Sequence, residues 1–525
     1  MKRIVVMLLG LLVFAPPARA QSVPALLDSV QYSAFRYFWY EANATNGLIK
    51  DRDTPGSPAS TASMGFGLSA ICIGIDHGWV SRADGKARVL TTLQTLWNGP
   101  QGTATFGTIG YKGLFYHFLD MNSAARTWSS ELSTIDTALL FAGMLDCRQY
   151  FNGGDATETQ IRTLADAIYE RADWAFMQNG NPGIKMGWTP ENAFSGFGQW
   201  VGYNEAMILY ILALGSPTHP VPPAAWNTWT SGYTWATQRG QTYVLFPPLF
   251  GHQYSHCWID FRGIQDAYMR VKGIDYFENS RRATYAQRKY CIDNPLHFTG
   301  YSDSLWGITA GDGPPPIGYR ARGAPPFQAD DGTITPTAPV SSIAFAPEIC
   351  IPAMRNIYNA YHSQTWDSYG FSDGFNLTKN WWDTDIIGID QGPMALMIEN
   401  YLTGGVWTRM MQHPNVHYGL QQAGFQSTTA VEPGPAPPGG DRLWASEPNP
   451  VRGSAILRFS LERAGRVRLT IFDLQGREIA RLVDGERSAG MGEVAFDGRH
   501  LPGGVYLARL ETPGGTRTTR FVRLD

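Results

Sequence analysis

Acidic side chains lie where apolar helices are expected to begin. Asn204 can cap a helix that Glu205 opens, and Asp390 is followed by Pro393, which suits a first helical turn. The helix dipole favours a carboxylate there whatever the function, so each acid alone also has a structural explanation. Two converging carboxyl groups, one protonated and one ionised, are what acid/base hydrolysis of a glycosidic bond requires.

Glu131 and Asp136 precede or open a third apolar stretch. If all of it were helical, the two acids would be separated by roughly 140° around the axis. Both can therefore face one cavity only if Glu131 lies in the loop before the helix. A helix N-terminus lowers a carboxyl pKa, so the group that acts as the acid must also be desolvated. Trp188 and Trp200, which lie near Glu205 in the sequence, could desolvate it.

The helices that must position these acids are indicated by apolar residues at helical spacing, as at Leu27, Val30, Ala34 and Phe38. About a dozen such segments lie between residues 23 and 425, enough for six helical hairpins closed into a ring. In such a ring the N-terminal ends of the inner helices gather at one mouth. The acids at three of these ends could then converge on one substrate.

The pattern changes after residue 427. Residues 428–440 are rich in Pro and Gly, which is typical of a linker. Beyond them, residues 455–461, 467–472 and 505–510 alternate with period two and predict strands. We expect residues 441–525 to form a small Ig-like β-sandwich.

The N-terminus predicts export. Lys2 and Arg3 precede an apolar run, and Ala18 and Ala20 supply the small residues of a cleavage site, so residues 1–20 are expected to be a signal peptide. The run is shorter than the roughly 20 residues of a membrane helix. The mature protein is expected to have no membrane span and to be periplasmic, on the cell surface or secreted.

The composition points to an uncharged partner. A net charge of -3 and a charged fraction of 17% leave no sign of nucleic-acid or membrane-surface binding. The 17 Trp and 24 Tyr suit a sugar, whose C–H faces stack on aromatic rings, although many of these rings also suit an ordinary core.

No metal or cofactor is expected. His252 and His256, followed by Asp260, superficially resemble a metal site, but without HExxH or a third histidine we favour hydrogen bonding to sugar or to neighbouring loops. The five cysteines are far apart and lack CxxC spacing, and no serine-hydrolase, phosphate-binding or dinucleotide motif has a usable context. For the charged cluster, ion pairing between helices is favoured over fixing an active-site carboxylate. Its members are Arg262, Glu278, Arg281 and Arg282.

Several long segments resemble the glucoamylase-like family, which includes bacterial endo-β-1,2-glucanases. They include Gly202-Tyr-Asn-Glu205-Ala, His252-Gln-Tyr-Ser-His256 and Gly388-Ile-Asp390-Gln-Gly-Pro393. The likeness runs in order from residues 47–52 to residues 419–425. It implies an (α/α)6 barrel over residues 21–427 and hydrolysis of β-1,2-glucan by acid/base catalysis with inversion.

The resemblance marks Glu205 as the best catalytic candidate, supported by Asp136, Glu131 and Asp390. Family members need not share one specificity. An exo-acting or glucoamylase-type α-glucan hydrolase, a transglycosylase and a non-catalytic glucan-binding protein therefore stay open. The candidate substrate-binding residues are Trp188, Trp200, Tyr203, His219, His252, His256, Trp258, Asp260, Arg262 and Trp382.

The C-terminal segment resembles the Ig-like sorting domain of cargo proteins of the type IX secretion system. Pro448-Asn-Pro450, Ile471-Phe-Asp473 and Pro502-Gly-Gly-Val505 carry the likeness. Related Ig-like modules of flagellar hook-capping proteins share these motifs. The resemblance implies the type IX machinery as a partner.

Overall fold

The computed structural model describes residues 22–325, 329–427, 441–444, 454–473, 475–487, 490–498 and 502–523. The part before residue 428 is mainly helical, and the part after residue 440 consists of strands. The predicted signal peptide and the predicted linker lie outside the described residues.

The helices of the described chain lie between residues 23 and 422, and their starts are set by local capping. Ser60 and Ser133, for example, accept hydrogen bonds from the backbone N–H groups of Ser63 and Asp136. The helices are α1 (Val23–Tyr40), α2 (Thr61–Asp76), α3 (Arg82–Asn98), α4 (Thr134–Tyr150), α5 (Ala156–Glu170), α6 (Trp174–Gln178), α7 (Met207–Leu214), α8 (Ala224–Ser231), α9 (Ala267–Lys272), α10 (Tyr276–Asp293), α11 (Thr337–Ser341), α12 (Pro347–Thr365), α13 (Gly388–Leu402), α14 (Gly405–Met411) and α15 (Pro414–Gln422), with 3-10 helices η1 (Leu249–His252) and η2 (Tyr254–Cys257).

The helices differ in how much of their surface is buried. Helices α2, α4, α7 and α13 are buried on nearly all sides, whereas α3 and α5 bury one face. Helices α2 and α4 approach so closely that a Cβ atom on Gly143 would lie 1.8 Å from the carbonyl oxygen of Gly65. Helix α13 packs against α1, α2 and α11. The helices that carry Asp136 and Asp390 therefore lie at the centre.

Short antiparallel pairs stiffen the loops between helices. β5 pairs with β6 and leads directly into α4, so the chain is fixed immediately after Glu131. These strands are β1 (Ala59–Ser60), β2 (Gly110–Tyr111), β3 (Leu114–Phe115), β4 (Phe118–Leu119), β5 (Leu132–Ser133), β6 (Gly187–Trp188), β7 (Trp235–Gln238), β8 (Gln241–Val244), β9 (Ile264–Gln265), β10 (Trp366–Asp367), β11 (Gly370–Phe371), β12 (Phe375–Asn376), β13 (Trp381–Trp382) and β14 (Gln426–Ser427).

The C-terminal strands form two antiparallel sheets, of order β15-β16-β19 and β18-β17-β20-β21. The three strands predicted from period-two alternation are confirmed as β16, β17 and β20, and Leu469, Ile471 and Phe521 are fully buried in the core of this region. The strands are β15 (Arg442–Leu443), β16 (Ser454–Leu461), β17 (Gly465–Phe472), β18 (Glu478–Arg487), β19 (Gly490–Asp497), β20 (Gly504–Thr512) and β21 (Gly515–Arg523).

Within the described ranges, no helix combines the length and the apolar character that crossing a bilayer demands.

Candidate active site

The N-terminal ends of the central helices meet the loops that carry acidic residues. The first residue of α2, Thr61, donates its N–H to the carbonyl of His117 across 3.0 Å. The first residue of α13, Gly388, donates to the carbonyl of Asp51 across 2.8 Å. The bridge between Lys50 and Ala59 holds the loop of Asp51 next to the start of α2, and a Cβ atom on Gly388 would lie 2.2 Å from the hydroxyl oxygen of Ser63 in the first turn of α2. Both loops therefore lie at the same end of the helical region.

The first acidic group is organised by His117. Its Nδ1 lies 2.9 Å from Oε1 of Glu131, and its Nε2 lies 3.7 Å from Oδ1 of Asp136. Asp136 lies in the first turn of α4 and also accepts a hydrogen bond from the hydroxyl of Ser133. Glu131 lies in the loop before the helix, which was the condition for the two acids to face one cavity, and that condition is confirmed.

His117 is a cation at neutral pH. Burial opposes its charge, but the negative charge of Asp136 and the hydrogen bond to Glu131 outweigh burial and raise the pKa of His117 to about 9. Burial likewise opposes the charge of Glu131, but His117 outweighs it and holds the pKa of Glu131 below its usual value. This group therefore carries an internal cation between two acids.

Glu205 lies in the turn before α7. The prediction that Asn204 caps the helix and Glu205 opens it is wrong, because α7 begins at Met207 with Ala206 at the cap position. Asn204 instead accepts hydrogen bonds from the N–H of Ala206 and the indole of Trp229. Burial raises the pKa of Glu205 to about 7, and the negative charge of Asp136 adds to the rise. A carboxyl group in this state can donate a proton near neutral pH.

The second acidic group contains a buried carboxyl pair. Asp390 lies in the first turn of α13 beside Asp373, and each residue is 3% exposed. Burial and the negative charge of Asp390 raise the pKa of Asp373 far above its usual value, so Asp373 keeps its proton and donates it in a hydrogen bond to Asp390. Burial raises the pKa of Asp390 to about 7, although this hydrogen bond lowers it in part.

Arg52 offsets the charge of the second group. Its guanidinium lies 2.9 Å from Asp312 and 2.7 Å from Asp385. Burial raises the pKa of the neighbouring Asp383 to about 7. One arginine thus faces several carboxyl groups, and the excess acids are partly protonated.

The two groups belong to one site. The pKa of the Tyr254 phenol is raised by burial first, and then by the charges of Asp390 and Glu205 among others. Asp51 in turn experiences the charges of His117 and Asp136. The arrangement brings a protonated acid and carboxylates together around one region, which is suited to acid/base chemistry.

Among the residues that the structure describes, two sets of three side chains have ligand atoms within 4.8 Å of one another. In the first set His117 is already protonated, and in the second Asp373 holds a proton. A metal ion would have to displace those protons before it could bind. The sets are His117, Glu131 and Asp136, and Asp312, Asp373 and Asp383.

Several predicted substrate-binding residues belong to the core. The side chains of His252, His256 and Trp258 are 0% exposed, and Tyr203 is 4% exposed. Trp258 donates its indole N–H to Ser69 across 2.9 Å. The prediction that these four side chains contact substrate is wrong, because their surfaces are covered by the protein itself.

Three further predicted residues lie away from the acids. His219 is exposed in the loop after the C-terminal end of α7, whereas Glu205 precedes its start. Arg262 pairs with Asp260 across 2.6 Å and lies 4.4 Å over the ring of Trp407, in the helix that follows the C-terminal end of α13. These three side chains lie away from the acids, and their contact with substrate stays a prediction. The ion pairing predicted for the charged cluster is present within α10, where Glu278 pairs with Arg281 and Arg282, and not between helices.

Three predicted aromatic residues lie near the acids. Trp200 donates its indole N–H to Thr134, the first residue of α4, across 3.0 Å. Trp188 lies in β6, opposite the strand that follows Glu131, and Trp382 precedes Asp383. Their contact with substrate stays a prediction.

Sequence reasoning missed most of the second acidic group and the cation of the first. The sequence signals were the family resemblance at residues 47–52, which include Asp51 and Arg52, and the close spacing of Asp383, Asp385 and Asp390 in a chain with few charges. The missed residues are Asp51, Arg52, His117, Asp312, Asp373, Asp383 and Asp385.

The helical part of the chain is similar to several known proteins. Residues 198–414 match the model of a family described as "Putative glucoamylase". The exo beta-1,2-glucooligosaccharide sophorohydrolase (non-reducing end) of Parabacteroides distasonis is 31% identical over 432 residues, which are 76% of this chain and 57% of that protein. The chain thus spans little more than half the length of this relative.

Two crystal structures extend the comparison. A protein of Bacteroides uniformis that bears the same description as the family is 35% identical, with a TM-score of 0.72 over 78% of this chain and 99% of that one. The endo-beta-1,2-glucanase of Chitinophaga pinensis, in complex with sophorotriose and glucose, is 30% identical, with a TM-score of 0.72 and coverage of 78% and 99%.

The fold and site define a mainly helical protein with clustered carboxyl groups at the starts of its central helices. The chain belongs to the glucoamylase-like family. Residues 448–523 match a secretion system C-terminal sorting domain, so the predicted export is confirmed.

Proposed function

We propose that this protein is a glycoside hydrolase that cuts β-1,2-glucan, in endo mode and with inversion at the anomeric carbon. The observation that carries the proposal is the presence of two buried acids with raised pKa values. Burial keeps Glu205 protonated up to about pH 7, and Asp390 accepts a hydrogen bond from the protonated Asp373. The likeness to two hydrolases of β-1,2-linked glucans supports the substrate class.

In the proposed reaction Glu205 protonates the glycosidic oxygen as the bond to the leaving sugar breaks. Asp390 accepts a proton from the attacking water, and the resulting hydroxide bonds to the anomeric carbon from the opposite face. The negative charge of Asp136 helps to keep Glu205 protonated. Glu131 holds the imidazole of His117 in place, and His117 lies beside Asp136. Both carboxyl groups return to their starting states by proton exchange with solvent.

Exo action is the second candidate, because the relative from Parabacteroides distasonis releases sophorose units from the non-reducing end, as its name states. A time course on linear β-1,2-glucan separates the two modes. Early products of mixed length support endo action, whereas a single disaccharide from the first minutes supports exo action.

The test of the proposed function is product release from linear β-1,2-glucan, with starch and β-1,3-glucan assayed beside it by chromatography. We expect short β-1,2-oligosaccharides and no release from the other two. Release from starch alone would favour a glucoamylase-type enzyme, longer products than the substrate would favour transglycosylation, and binding without release would favour a glucan-binding protein.

The helical part is proposed to be an (α/α)6 barrel over residues 21–427. Contacts of α13 with α2, of α2 with α4 and of α4 with α7 support an inner ring. The ring continues from α7 through η2, and Gln253, next to η2, donates hydrogen bonds to Ala338 and Ser342 at α11. Helix α11 contacts α13, which would close the ring.

The strands after residue 440 are proposed to be an Ig-like sandwich that the type IX secretion machinery recognises. Side chains from both sheets share one core, including Phe459 from one sheet and Leu469 from the other, which supports face-to-face packing. We propose residues 441–525 as this domain and residues 428–440 as its linker.

A further inference from the structure

A strained turn lies beside the first acidic group. Trp128 and Ser129 both have a φ of 53°, in the left-handed region that bulky residues rarely adopt. Such a conformation persists only where the surrounding structure fixes it. Arg126 does so here: its buried guanidinium donates hydrogen bonds to the carbonyls of Ser129 and Ser130 and pairs with Glu191 across 2.7 Å.

The turn holds a large apolar ring in solvent. Trp128 is 68% exposed, although a buried position would favour its indole ring. Its ring contacts Phe118 with a centroid separation of 5.3 Å, and Phe118 stacks on His117 at 3.9 Å with an interplanar angle of 13°. A row of three rings therefore runs from the acidic group to the surface.

A polar cavity of about 160 Å³ adjoins the ring of Trp128. This volume is about ten times what a single water molecule needs. Ser57, Asp120, Asn122 and Thr127 contribute to its lining. Hydrogen bonds from the backbone and hydroxyl of Ser123 lower the pKa of Asp120, so an ionised carboxylate lies at the cavity as an acceptor.

Residues that line the cavity also contact the loop of the second acidic group. Ser57 and Pro58 line it, and the carbonyl of Pro58 accepts a hydrogen bond from the N–H of Asp51 across 2.8 Å. The cavity wall is thus built from loops that border both acidic groups.

We propose that Trp128 and this cavity form a distal subsite that binds pyranose units of a glucan chain several sugars away from the bond that is cut. An exposed aromatic face offers stacking to the C–H face of a sugar, and the neighbouring carboxylate and amide offer partners for its hydroxyl groups. The strained backbone keeps the ring pointing outward in the absence of ligand. This inference rests on the proposed function, because it assigns the chain to the same substrate.

The experiment compares the full-length protein with W128A and W128Y on a ladder of β-1,2-glucooligosaccharides and on the linear polymer. We expect W128A to lower kcat/KM on the polymer by about tenfold, the loss of one stacking contact, and to leave the shortest cleaved oligosaccharide unchanged within about twofold. W128Y keeps an aromatic face, so it should retain most of the activity on the polymer.

W97A is the matched control. Trp97 is 40% exposed on α3, and its ring lies under the guanidinium of Arg171 instead of beside the acids. The activity of W97A should equal that of the wild type at every chain length. Melting temperatures check the fold, and W128A should melt close to the wild type, since the exposed ring of Trp128 buries little surface and alanine keeps the same backbone conformation.

A folded W128A protein with unchanged activity, or with an equal loss at all chain lengths, would overturn the subsite. If the wild type releases no sugar from β-1,2-glucan, the proposed function fails instead. Calorimetry then tests the subsite independently, by measuring how wild type and W128A bind the same oligosaccharides. Weaker binding of only the long chains by W128A would support the subsite, and equal binding would overturn it.

Discussion

The imidazole of His117 lies 2.9 Å from the carboxylate of Glu131 and is charged at neutral pH, because its pKa is about 9. The pair links the loop before β5 to the loop that precedes β4, and it holds a positive charge near Asp136. The cation fixes the positions of Glu131 and Asp136, while burial and the charge of Asp136 still keep the pKa of Glu205 raised. The site can therefore keep one carboxyl group protonated while its neighbours remain ionised.

The first prediction concerns the charge of His117. Its folded pKa of about 9 exceeds the unfolded value of about 6.5, so its contribution to stability is fully present below pH 6.5 and is lost as the pH rises through 9. We expect H117Q to be less stable than the wild type at pH 6, by on the order of 2 kcal/mol after solvent screening. Chemical denaturation from pH 6 to pH 10 should show the difference shrinking. A difference that stays constant or grows with pH would contradict the assignment.

The second prediction concerns Glu205. Glutamine keeps its shape but cannot donate the proton, so E205Q should lose about 10³-fold in kcat on β-1,2-glucan and still bind the substrate. The control is E278Q, because Glu278 pairs with arginines on α10, away from the acids, and its loss should leave kcat unchanged. Initial rates and calorimetric binding measure both quantities. Retention of turnover by E205Q would remove Glu205 from the role of the acid.

The third prediction concerns pH. Glu205 must be protonated and Asp390 ionised, and both have a pKa of about 7, so kcat/KM should fall on either side of neutrality. In E205Q the residual kcat/KM should no longer fall above pH 7. A plateau of wild-type activity from pH 7 to pH 9 would contradict the assignment of the acid.

The fourth prediction separates the role of Asp373 from that of Asp390. Asp373 acts by donating a hydrogen bond to Asp390, and D373N can still donate one, whereas D373A cannot. We expect D373A to lower kcat by about tenfold and to move the acidic limb of the pH profile upward, because the lost hydrogen bond had lowered the pKa of Asp390. D373N should restore much of kcat. Equal effects of the two substitutions on kcat and on the profile would indicate a role in packing alone.

The fifth prediction tests the packing of α2 against α4. In G143A the new methyl group would meet the backbone of Gly65, so the free energy of unfolding should fall by about 1 to 3 kcal/mol although alanine favours helix. A Cβ on Gly154 would have nothing within 4 Å, so G154A serves as the control with little change. Equal melting temperatures for the two variants would contradict the close approach of the helices.

The sequence by itself determined the features that depend on near neighbours in the chain. Apolar spacing predicted α1, period-two alternation predicted β16, β17 and β20, and the acids Asp136 and Asp390 were placed correctly in first helical turns. The boundary of α7 was missed by two residues, because the hydrogen bonds of Asn204 go to Ala206 and to the distant Trp229.

The tertiary structure decided which of these residues meet and in which protonation state. His117, Asp312 and Asp373 come from loops whose sequences carry no motif, and only the fold brings them to the starts of α4 and α13. The side-chain types of His256 and Trp258 suit sugar binding, but the core covers both residues. The sequence alone does not distinguish such buried residues from those that face the site. Burial and neighbouring charges set the pKa of Glu205 and Asp390, and these arise from contacts between residues far apart in the chain, so no local pattern contains them.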